Sequence, residues 1–347
     1  MQGKSLSQPL LIASFPPGIN GPSIYIDQLL TNEKFLARFA VELWAVPDFY
    51  RGAFGKIRLW RECGMRLSGR RELPIYLNVD LSLATWLAVC LRLHGAKNIF
   101  VHSHAAQFAS PQSPWLQFLF RRLIVSCARQ KIGVSVAAAE AMFGKSSNAL
   151  LLPALIDFHQ LRSEVRTSDI ARSPTFTFGC VGRLDLQKNQ GLLIHALAKL
   201  RDSGRLAKLL IIGDGEYGVE LARLVDELQL QEQVSLLPAR PDISVVYAHL
   251  IDAVLVPSVR EGQCRVVAEA QFFGLPVAAS VGVPDSAFLM PNMALRQIAL
   301  TVDAWVEAMV SILQGTPQRF EPQLALAEQS ELSLSCGVER LLRALPI

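Results

Sequence analysis

Charged residues are scarce in this 347-residue chain. They make up 18% of the sequence, while hydrophobic residues make up 51%. The charged share lies below the value of about 25% that is usual for globular proteins. So apolar a composition excludes a disordered chain. It is sufficient for two cores of ordinary domain size, and it fits an α/β enzyme with buried strands.

The sequence also lacks the cysteine patterns and glycine motifs of several function classes. Its six cysteines form no CxxC pair and show no metal-ligand spacing, so we expect reduced thiols in a cytoplasmic protein. The glycine turn at 213–215 is not followed by the Gly-Lys-Ser/Thr of a P-loop. The glycine pattern of dinucleotide binding is missing too, which argues against an NAD-dependent enzyme.

Long apolar segments are missing as well. The segment Met1–Pro9 is short and polar and is not followed by the apolar core of a signal peptide. The longest apolar stretch, Leu81–Leu91, is too short to span a bilayer. We therefore expect no transmembrane anchor, and we leave open a peripheral contact with the inner face of the membrane.

Positive charge is concentrated in the first half of the chain. Residues 1–165 contain 18 Lys and Arg against 10 Asp and Glu, and residues 166–347 contain 16 against 20. This asymmetry indicates either an anionic partner, such as a phosphorylated lipid or a membrane surface, or a solvated loop and helix face. Nucleic acid is not expected, because aromatic residues are not interleaved with the cations. The densest run comprises Arg51, Lys56, Arg58, Arg61, Arg66, Arg70 and Arg71.

Short apolar runs alternate with helical patterns along the whole chain, which predicts parallel sheets covered by helices on both faces. A polar stretch at Arg166–Pro174 interrupts this alternation. We therefore predict two doubly wound α/β domains at 1–165 and 175–325, a linker at 166–174, and a C-terminal helical segment at 326–347 with a break near Ser335–Gly337. The predicted strands are Leu10–Ser14, Val41–Val46, Pro74–Leu77, Asn98–His102, Ile132–Ser135, Ala149–Leu152, Phe176–Val181, Lys208–Ile212, Val234–Leu236, Asp252–Val256 and Pro276–Ser280.

Two loops of the second domain carry residues suited to phosphate. After the first predicted strand there, Gly182 permits a sharp turn, and Arg183 and Lys188 lie close enough to bind one diphosphate. Two solvated surface cations would give the same pattern. The turn Gly213-Asp214-Gly215 opens the next helix. Such a turn is common in nucleotide-binding domains and equally common as a plain tight turn.

A third loop leads into a helix that begins near Gly262–Arg265 and ends at Gly274. The free amides at the start of this helix favour negative charge. Glu261 precedes the helix and Glu269 lies within it. Carboxylates accept hydrogen bonds from vicinal hydroxyls, so the two glutamates suit a sugar and a ribose. An acid favoured by the helix dipole and an exposed helix glutamate are the alternative reading.

Together the three loops resemble the donor-binding half of the retaining glycosyltransferases of family 4 (group 1). The resemblance covers about residues 175–285, in both order and spacing. It implies the GT-B fold, in which an N-terminal acceptor-binding domain and a donor-binding domain face each other across a cleft. It also implies that the final helix packs toward the N-terminal domain. The matching residues are Gly182-Arg183-Leu184-Asp185, Lys188-Asn189, Ile212-Gly213-Asp214-Gly215, Pro257-Ser258, Glu261-Gly262, Ala268-Glu269-Ala270 and Gly274-Leu275-Pro276-Val277.

The resemblance also implies roles for individual residues. Arg183 and Lys188 match the basic pair that neutralises the donor diphosphate, and Glu269 matches the acid that binds the ribose hydroxyls. Glu261 matches the acid facing the transferred sugar, and Arg240 lies in a segment that borders the base. The remaining donor-binding positions are Gly21 in the first domain and the backbone of Gly262, Gln263, Cys264 and Arg265.

Two segments depart from the family pattern and leave the donor open. Residues 262–265 read Gly-Gln-Cys-Arg where the family often has Gly-Phe-Gly or Gly-Leu-Pro. The additional cation, Arg265, either favours an acidic sugar or points outward. The segment Asn20-Gly21-Pro22 lacks the usual paired glycines.

Two histidines, His102 and His104, end a predicted strand of the first domain. They share a face, but the sequence offers no third ligand, so we expect no metal site. The resemblance implies that one of them faces the reacting sugar, and we assign His104 to this catalytic role with Glu261. A buried, hydrogen-bonded histidine is the alternative.

The resemblance therefore implies a hexosyltransferase. It would move a hexose or N-acetylhexosamine from a nucleotide-diphosphate sugar to a glycan or lipid-linked acceptor in surface polysaccharide synthesis. No cofactor is expected beyond the nucleotide sugar itself, because two cations serve the diphosphate. We expect Lys188→Ala to lower turnover far more than stability. The alternatives are a nucleotide-sugar epimerase and a non-catalytic, sugar-nucleotide-binding partner of a transferase.

Overall fold

The computed structural model describes residues 7–14, 21–46, 53–105, 113–145, 147–165, 174–290, 294–315 and 324–345. The chain forms two compact units. The first consists of Met1–Leu155 and Leu334–Ile347, and the second consists of Ile156–Ser333. Each unit contains one six-stranded sheet.

The sheet of the first unit has the strand order β2-β1-β3-β4-β5-β6, and all its paired strands are parallel. Its strands are β1 (Gln8–Ser14), β2 (Phe39–Ala45), β3 (Ile75–Asn78), β4 (Ile99–Ser103), β5 (Gln130–Gly133) and β6 (Leu150–Leu151). Its helices are α1 (Gly21–Thr31), α2 (Glu33–Arg38), α3 (Ala53–Leu67), α4 (Leu81–Leu93), α5 (Pro114–Cys127), α6 (Val136–Phe143) and, from the end of the chain, α14 (Leu334–Ala344).

Alternating side chains of these strands build two cores, one on each face of the sheet. Along β1, Leu11 and Ala13 join the core beneath α3, α4, α5 and α6. Leu10 and Ile12 join the opposite core, beneath α1, α2 and α14. Both faces of a parallel sheet must be covered, and this explains why its strands are apolar at consecutive positions.

The sheet of the second unit has the order β12-β11-β10-β7-β8-β9 and is parallel in all its pairs. Its strands are β7 (Thr177–Val181), β8 (Lys208–Ile212), β9 (Val234–Leu237), β10 (Ala253–Val256), β11 (Val277–Ser280) and β12 (Ala294–Ile298). Its helices are α7 (Phe158–Glu164), α8 (Gln190–Asp202), α9 (Gly218–Glu227), α10 (Ile243–Val245, continued by a π-helical turn at Val246–Leu250), α11 (Arg265–Phe272), α12 (Val302–Gln314) and α13 (Leu324–Gln329).

The second sheet is also buried on both faces. One core contains α7, α11 and α13, whose side chains pack against β8, β10 and β11. The other contains α8, α9 and α12, with Trp305 of α12 fully buried in it. The predicted α/β fold class, with two doubly wound domains, is confirmed by these two parallel sheets.

The unit boundaries differ from the predicted positions. The second unit begins at Ile156 instead of 175, because α7 belongs to it. Phe158 and Leu161 of α7 are buried in its core, and the ring centroids of Phe158 and Phe272 lie 5.0 Å apart. The predicted linker lies outside the described residues except for its last residue, Pro174.

The break in the C-terminal helical segment also lies elsewhere than predicted. The helix α13 ends at Gln329, and α14 begins at Leu334 and includes the predicted break at 335–337. The Ser330 hydroxyl donates to the Ala327 carbonyl at 2.6 Å and competes with continuation of the helix. The final helix then packs in the first unit, as expected, with Val338 and Leu341 fully buried.

None of the helices in the described ranges combines the length and the apolar character that crossing a membrane requires.

Candidate functional site

The candidate site lies at the carboxyl ends of β7 and β10. These two strands are neighbours, although β8 and β9 separate them in the chain. The chain runs outward from β7 in one direction through β9, and it then returns to β10 and runs outward in the other direction. Loops that follow the two strands at such a switch point diverge and leave a crevice, which is where open α/β sheets bind ligands.

A buried ion pair joins the two loops. The Lys188 ammonium, from the loop after β7, lies 2.5 Å from Glu261 Oε1, from the loop after β10. The Ser258 hydroxyl donates to the same carboxylate oxygen at 2.6 Å. Burial has the largest effect and would by itself lower the pKa of Lys188, but Glu261, Cys264 and Asp185 together outweigh it, and the pKa is raised. Lys188 therefore stays cationic at neutral pH.

Asp185 connects this buried ion pair to a cation at the surface. Asp185 accepts a hydrogen bond from the Lys188 backbone amide at 2.9 Å, and its other oxygen lies 2.9 Å from Arg183 Nε. The Arg183 side chain is 65% exposed, whereas that of Lys188 is 19% exposed. The two predicted phosphate-binding cations thus belong to one loop and one network, but each pairs with a different carboxylate.

Backbone hydrogen bonds hold the two loops in register. The Val259 amide donates to the Gln187 carbonyl at 2.8 Å, and the Gln187 side chain returns a bond to the Arg260 carbonyl at 2.8 Å. The Glu261 amide donates to the Gly282 carbonyl at 2.8 Å. A Cβ atom on Gly282 would lie 2.4 Å from the Ser258 carbonyl oxygen, so this close approach requires glycine. The position of Glu261 is therefore fixed from three directions.

The second glutamate is held by its own helix and by α10. Glu269 Oε1 lies 3.3 Å from Arg265 Nε, one turn earlier on α11, and Oε2 accepts a hydrogen bond from the Tyr247 hydroxyl at 3.3 Å. Arg265 has a side chain that is only 16% exposed. The additional cation of this sequence thus turns inward against Glu269, and the outward-pointing alternative is wrong.

The turn between the two glutamates is buried and strained. Gly262, Gln263 and Cys264 are all buried, and Cys264 adopts φ +64° immediately before α11. This left-handed conformation costs a residue other than glycine about 1–2 kcal/mol. Burial, and next the Glu261 carboxylate, raise the pKa of the Cys264 thiol. Cys264 therefore stays protonated, and the turn offers its backbone rather than a thiolate.

Gln263 has a structural contact through its side chain. Its amide nitrogen donates to the Ser286 carbonyl at 2.8 Å, and its Oε1 is a buried atom without a hydrogen-bond partner within the described part of the chain. Because α11 begins at Arg265, the amides of its first turn have no acceptor within the helix. These amides and the ion-pair network give the site both positive and negative groups at the switch point.

The Gly213 turn supports the β7 loop from the side. Gly213 has φ +156°, and a Cβ atom there would lie 1.9 Å from the Gly182 carbonyl oxygen. The Leu184 amide donates to the Asp214 carbonyl at 2.9 Å. The turn that was ambiguous in the sequence is therefore a support for the loop that carries Arg183 and Lys188.

Arg240 follows β9 and makes a two-pronged ion pair with Asp242, with both nitrogen–oxygen distances at 2.6 Å. The described contacts do not connect it to Lys188 or Glu269. Its predicted place beside the base stays a prediction.

The two histidines lie in the first unit, within an aromatic cluster at the end of β4. The ring centroids of His102 and His104 are 4.1 Å apart, and Tyr25 lies edge-on to both at 5.0 Å. His102 hydrogen-bonds to the Tyr76 hydroxyl. Burial lowers the pKa of His104 to about 3 and, with the neighbouring His104, that of His102 well below its ordinary value. Both rings are therefore neutral at pH 7.

The predicted glycine-rich loop of the first unit covers residues 18–21, of which 18–20 lie outside the described residues. Gly21, which was assigned to donor binding, is the first residue of α1. Within the described ranges, no group of three or more His, Cys, Asp and Glu side chains could hold a metal ion.

Three residues complete the site that the sequence reading did not single out. Ser258 and Asp185 lie within the motifs that match the family. Their side-chain oxygens are close in sequence to Glu261 and to Arg183 and Lys188, so their part in the network could have been predicted. Tyr247 had no such signal, because it lies 22 positions before its partner Glu269 and meets it only through packing of α10 against α11.

Two relatives match parts of the chain. Glycosyltransferase EpsF of Bacillus subtilis is 26% identical over 250 residues, which are 67% of this chain and 65% of EpsF. A Campylobacter jejuni transferase is 46% identical over 69 residues, which are 20% of this chain and 18% of its own length. Its name is N-acetylgalactosamine-N,N'-diacetylbacillosaminyl-diphospho-undecaprenol 4-alpha-N-acetylgalactosaminyltransferase. The chain thus spans less than two thirds of the length of these relatives.

The fold has solved counterparts. HepE of Anabaena, solved in complex with UDP and glucose, superimposes with a TM-score of 0.74 at 17% identity, covering 97% of this chain and 99% of HepE. This likeness confirms the fold. The family model described as glycosyl transferases group 1 matches residues 163–287, which include β7 to β11 and every residue of the network at the switch point. Over residues 163–287, the chain is therefore similar to the group 1 glycosyl transferases.

Proposed function

We propose that the protein is a retaining glycosyltransferase that moves a hexose or N-acetylhexosamine from a nucleotide-diphosphate sugar to a glycan or lipid-linked acceptor in surface polysaccharide synthesis. The observation that carries the proposal is the buried Lys188–Glu261 pair at the switch point of a group 1 domain. The name of the Campylobacter relative includes a diphospho-undecaprenol acceptor, and HepE was solved with UDP and glucose, which supports a lipid-linked acceptor and a nucleotide-sugar donor.

The chemistry of the site suits a leaving diphosphate. Lys188 stays cationic, and the amides at the start of α11 attract negative charge, so both would stabilise the charge that develops on the diphosphate. Arg183 is exposed and pairs with Asp185, so its guanidinium could turn toward a phosphate when a donor arrives. With Arg183 and Lys188 both on the diphosphate, this step would need no metal.

Glu269 and Glu261 would each bind a different part of the donor. Glu269 has polar partners on both oxygens and lies one turn into α11, where its remaining lone pairs would accept from the ribose hydroxyls. Arg265 offsets its charge, so this position does not require an acidic sugar. Glu261 would accept from hydroxyls of the transferred sugar, with Ser258 and Lys188 fixing its orientation. His104 is the proposed catalytic residue of the first unit, where it is neutral and offers a buried Nε2.

Substitution of the ion pair tests the proposal. Lys188→Ala leaves the Glu261 carboxylate buried without its cation, which costs about 3–5 kcal/mol of stability. We therefore expect Lys188→Ala to lose stability as well as turnover, in contrast to the expectation from the sequence. The double variant Lys188→Met with Glu261→Gln removes both charges, so we expect it to fold and yet to lose donor binding. Lys199→Met is the matched control, since Lys199 pairs with Asp303 on the surface of the same unit.

The measurement is the thermal shift caused by UDP-, GDP- and ADP-sugars, followed by transfer of radiolabelled sugar to bacterial membranes that contain lipid-linked glycans. A bound donor at 100 times its Kd adds about 2.7 kcal/mol of stability. We expect this shift in the wild type and in Lys199→Met, and its loss in the double variant. Conversion of the nucleotide sugar without membranes would instead indicate an epimerase. Donor binding without transfer or conversion would indicate a non-catalytic partner.

A further inference from the structure

Three neighbouring helices of the first unit present large apolar side chains to solvent. The inner faces of α3, α4 and α5 pack on one face of the sheet, where Leu59, Leu87 and Ile124 are buried in the same core. Their outer faces therefore look away from the sheet on the same side. The exposed large hydrophobic residues there are Phe54, Ile57, Trp60 and Met65 of α3, Trp86 and Leu93 of α4, and Trp115, Leu116 and Phe118 of α5. These nine residues define the apolar surface.

The exposed fractions of these side chains are larger than expected for isolated hydrophobic residues on a surface. Phe54 is 90% exposed, Met65 is 69% exposed and Trp115 is 67% exposed. Three of the five tryptophans of the chain, Trp60, Trp86 and Trp115, belong to the apolar surface. A concentration of this kind marks an interaction site, since apolar residues on a free surface are usually scattered. Tryptophan in particular favours the boundary between water and lipid.

Cations are interleaved with these apolar residues. The helices α3, α4 and α5 together contain seven Lys and Arg and one acid, Glu62, which lies 3.6 Å from Arg66. Arg58, Arg61 and Arg122 are exposed. Arg66 is also paired with Glu42, as is Arg70, so the basic run predicted from the sequence is partly neutralised at its far end. Exposed cations are therefore interleaved with the nine apolar residues.

Contacts between α3 and α4 join their parts of the apolar surface, and α5 packs beside α4. The Lys56 ammonium lies 4.5 Å from the centroid of the Trp86 ring, so α3 and α4 meet at their outer edges. The Trp60 ring lies 4.3 Å from the ring of His94, immediately after α4. Aliphatic stems of lysine and arginine cover apolar surface while their charges stay in water, which is how basic and aromatic residues share one interface.

Charge decides between the partners that would cover an apolar surface. A second copy of this chain would place one basic face against another, and such like-charge pairing is costly. An anionic bilayer instead attracts the cations and takes up the aromatic and aliphatic tips between its headgroups. We propose that the outer face of α3, α4 and α5 docks the protein on an anionic lipid surface. This proposal is independent of sugar transfer.

Vesicle co-sedimentation of the full chain tests it, with vesicles of phosphatidylcholine alone and of phosphatidylcholine with phosphatidylglycerol. We expect retention by the anionic vesicles that weakens as salt is raised. Arg58→Gln with Arg61→Gln should lower the partition coefficient about fivefold for each arginine. Phe54→Ser with Met65→Ser should lower it at least about fivefold on anionic vesicles. Tryptophan fluorescence should shift to the blue on binding, because three of five tryptophans enter the interface.

Matched controls lie in the second unit. Val219 is 78% exposed and Leu206 is 75% exposed, so Val219→Ser with Leu206→Ser removes comparable apolar area elsewhere. Arg205→Gln with Arg223→Gln removes two exposed charges elsewhere. Both controls should bind as the wild type does. Three results would overturn the proposal: no retention by either vesicle, equal loss in the controls, or a concentration-dependent dimer that the Phe54 and Met65 substitutions abolish. Donor-induced thermal shifts are measured without vesicles, so failure of either proposal is recognised separately.

Discussion

Burial sets the protonation state of the histidines at the end of β4. His104 keeps only part of its surface exposed, and its Nε2 is fully buried, which lowers its pKa to about 3. Such a ring acts at pH 7 as a neutral hydrogen-bonding group and not as a cation. Any part that His104 takes in sugar transfer therefore uses a neutral imidazole.

This shift predicts a pH dependence of stability. Below about pH 6.5 the unfolded chain binds a proton at His104, while the folded chain stays neutral there until about pH 3. Stability is therefore complete above the unfolded pKa and is lost as the pH falls between these values. The loss amounts to about 1.4 kcal/mol per pH unit for one histidine. Urea unfolding at pH 7, 6, 5 and 4 should show a shallower slope in His104→Gln than in the wild type.

The control for this experiment is His195→Gln, because His195 is exposed on α8. An identical slope in His104→Gln and the wild type would contradict the neutral, buried state of His104.

At the scale of secondary-structure elements, the strands agree closely with those predicted from the sequence. The apolar runs predicted eleven of the twelve strands to within about two residues at each end, since burial on both faces forces consecutive apolar residues. The exception among strands is β12, which the sequence reading missed. It contains the exposed residues Leu295, Arg296 and Gln297 at the edge of the sheet, and an edge strand needs no apolar run.

The turn at Gly213 gives a prediction at this scale. Gly213→Ala would place a methyl group 1.9 Å from the Gly182 carbonyl oxygen, in a backbone conformation that only glycine adopts readily. We expect a loss of about 2–4 kcal/mol in the free energy of unfolding. We also expect weaker donor binding, because the loop that carries Lys188 must move away from β8. Urea unfolding and donor-induced thermal shift measure the two effects.

Gly204→Ala separates backbone strain from loop displacement. Gly204 has φ +78°, and nothing lies within 4 Å of a Cβ atom there. This variant should lose only about 1 kcal/mol and should bind the donor normally. Normal donor binding by Gly213→Ala would show that the β7 loop does not depend on this support.

At the scale of the whole molecule, the stability of the first unit depends on a helix from the C-terminal end of the chain. The first unit is completed by α14, where Val338, Leu341 and Leu345 are almost fully buried against α1, α2 and the sheet. Lys34 of α2 also lies 3.0 Å from Glu339. A segment from the far end of the sequence therefore holds the first unit together.

Deletion of residues 334–347 should destabilise the first unit selectively. Each of its three buried side chains contributes about 1.5–3 kcal/mol, so the loss is several kcal/mol. Hydrogen exchange should show faster exchange in β1, β3 and β4, with protection of β7, β8 and β10 unchanged. The double substitution Lys34→Gln with Glu339→Gln is the control. It removes only the exposed ion pair and should leave hydrogen exchange as it is in the wild type. Equal loss of protection in both units would contradict the selective role.

The sequence alone determined the alternation of strands and helices, the three loops of the second unit, and the positions of Lys188, Glu261 and Glu269. These features follow from local constraints: apolar periodicity, glycine at turns, and motif spacing. The partners of these residues were decided by tertiary structure. Glu261 meets Lys188 across 73 positions, because strand order in a parallel sheet, which local sequence does not encode, makes β7 and β10 neighbours. The same holds for α7 and α14, since their burial depends on surfaces formed by distant segments of the chain.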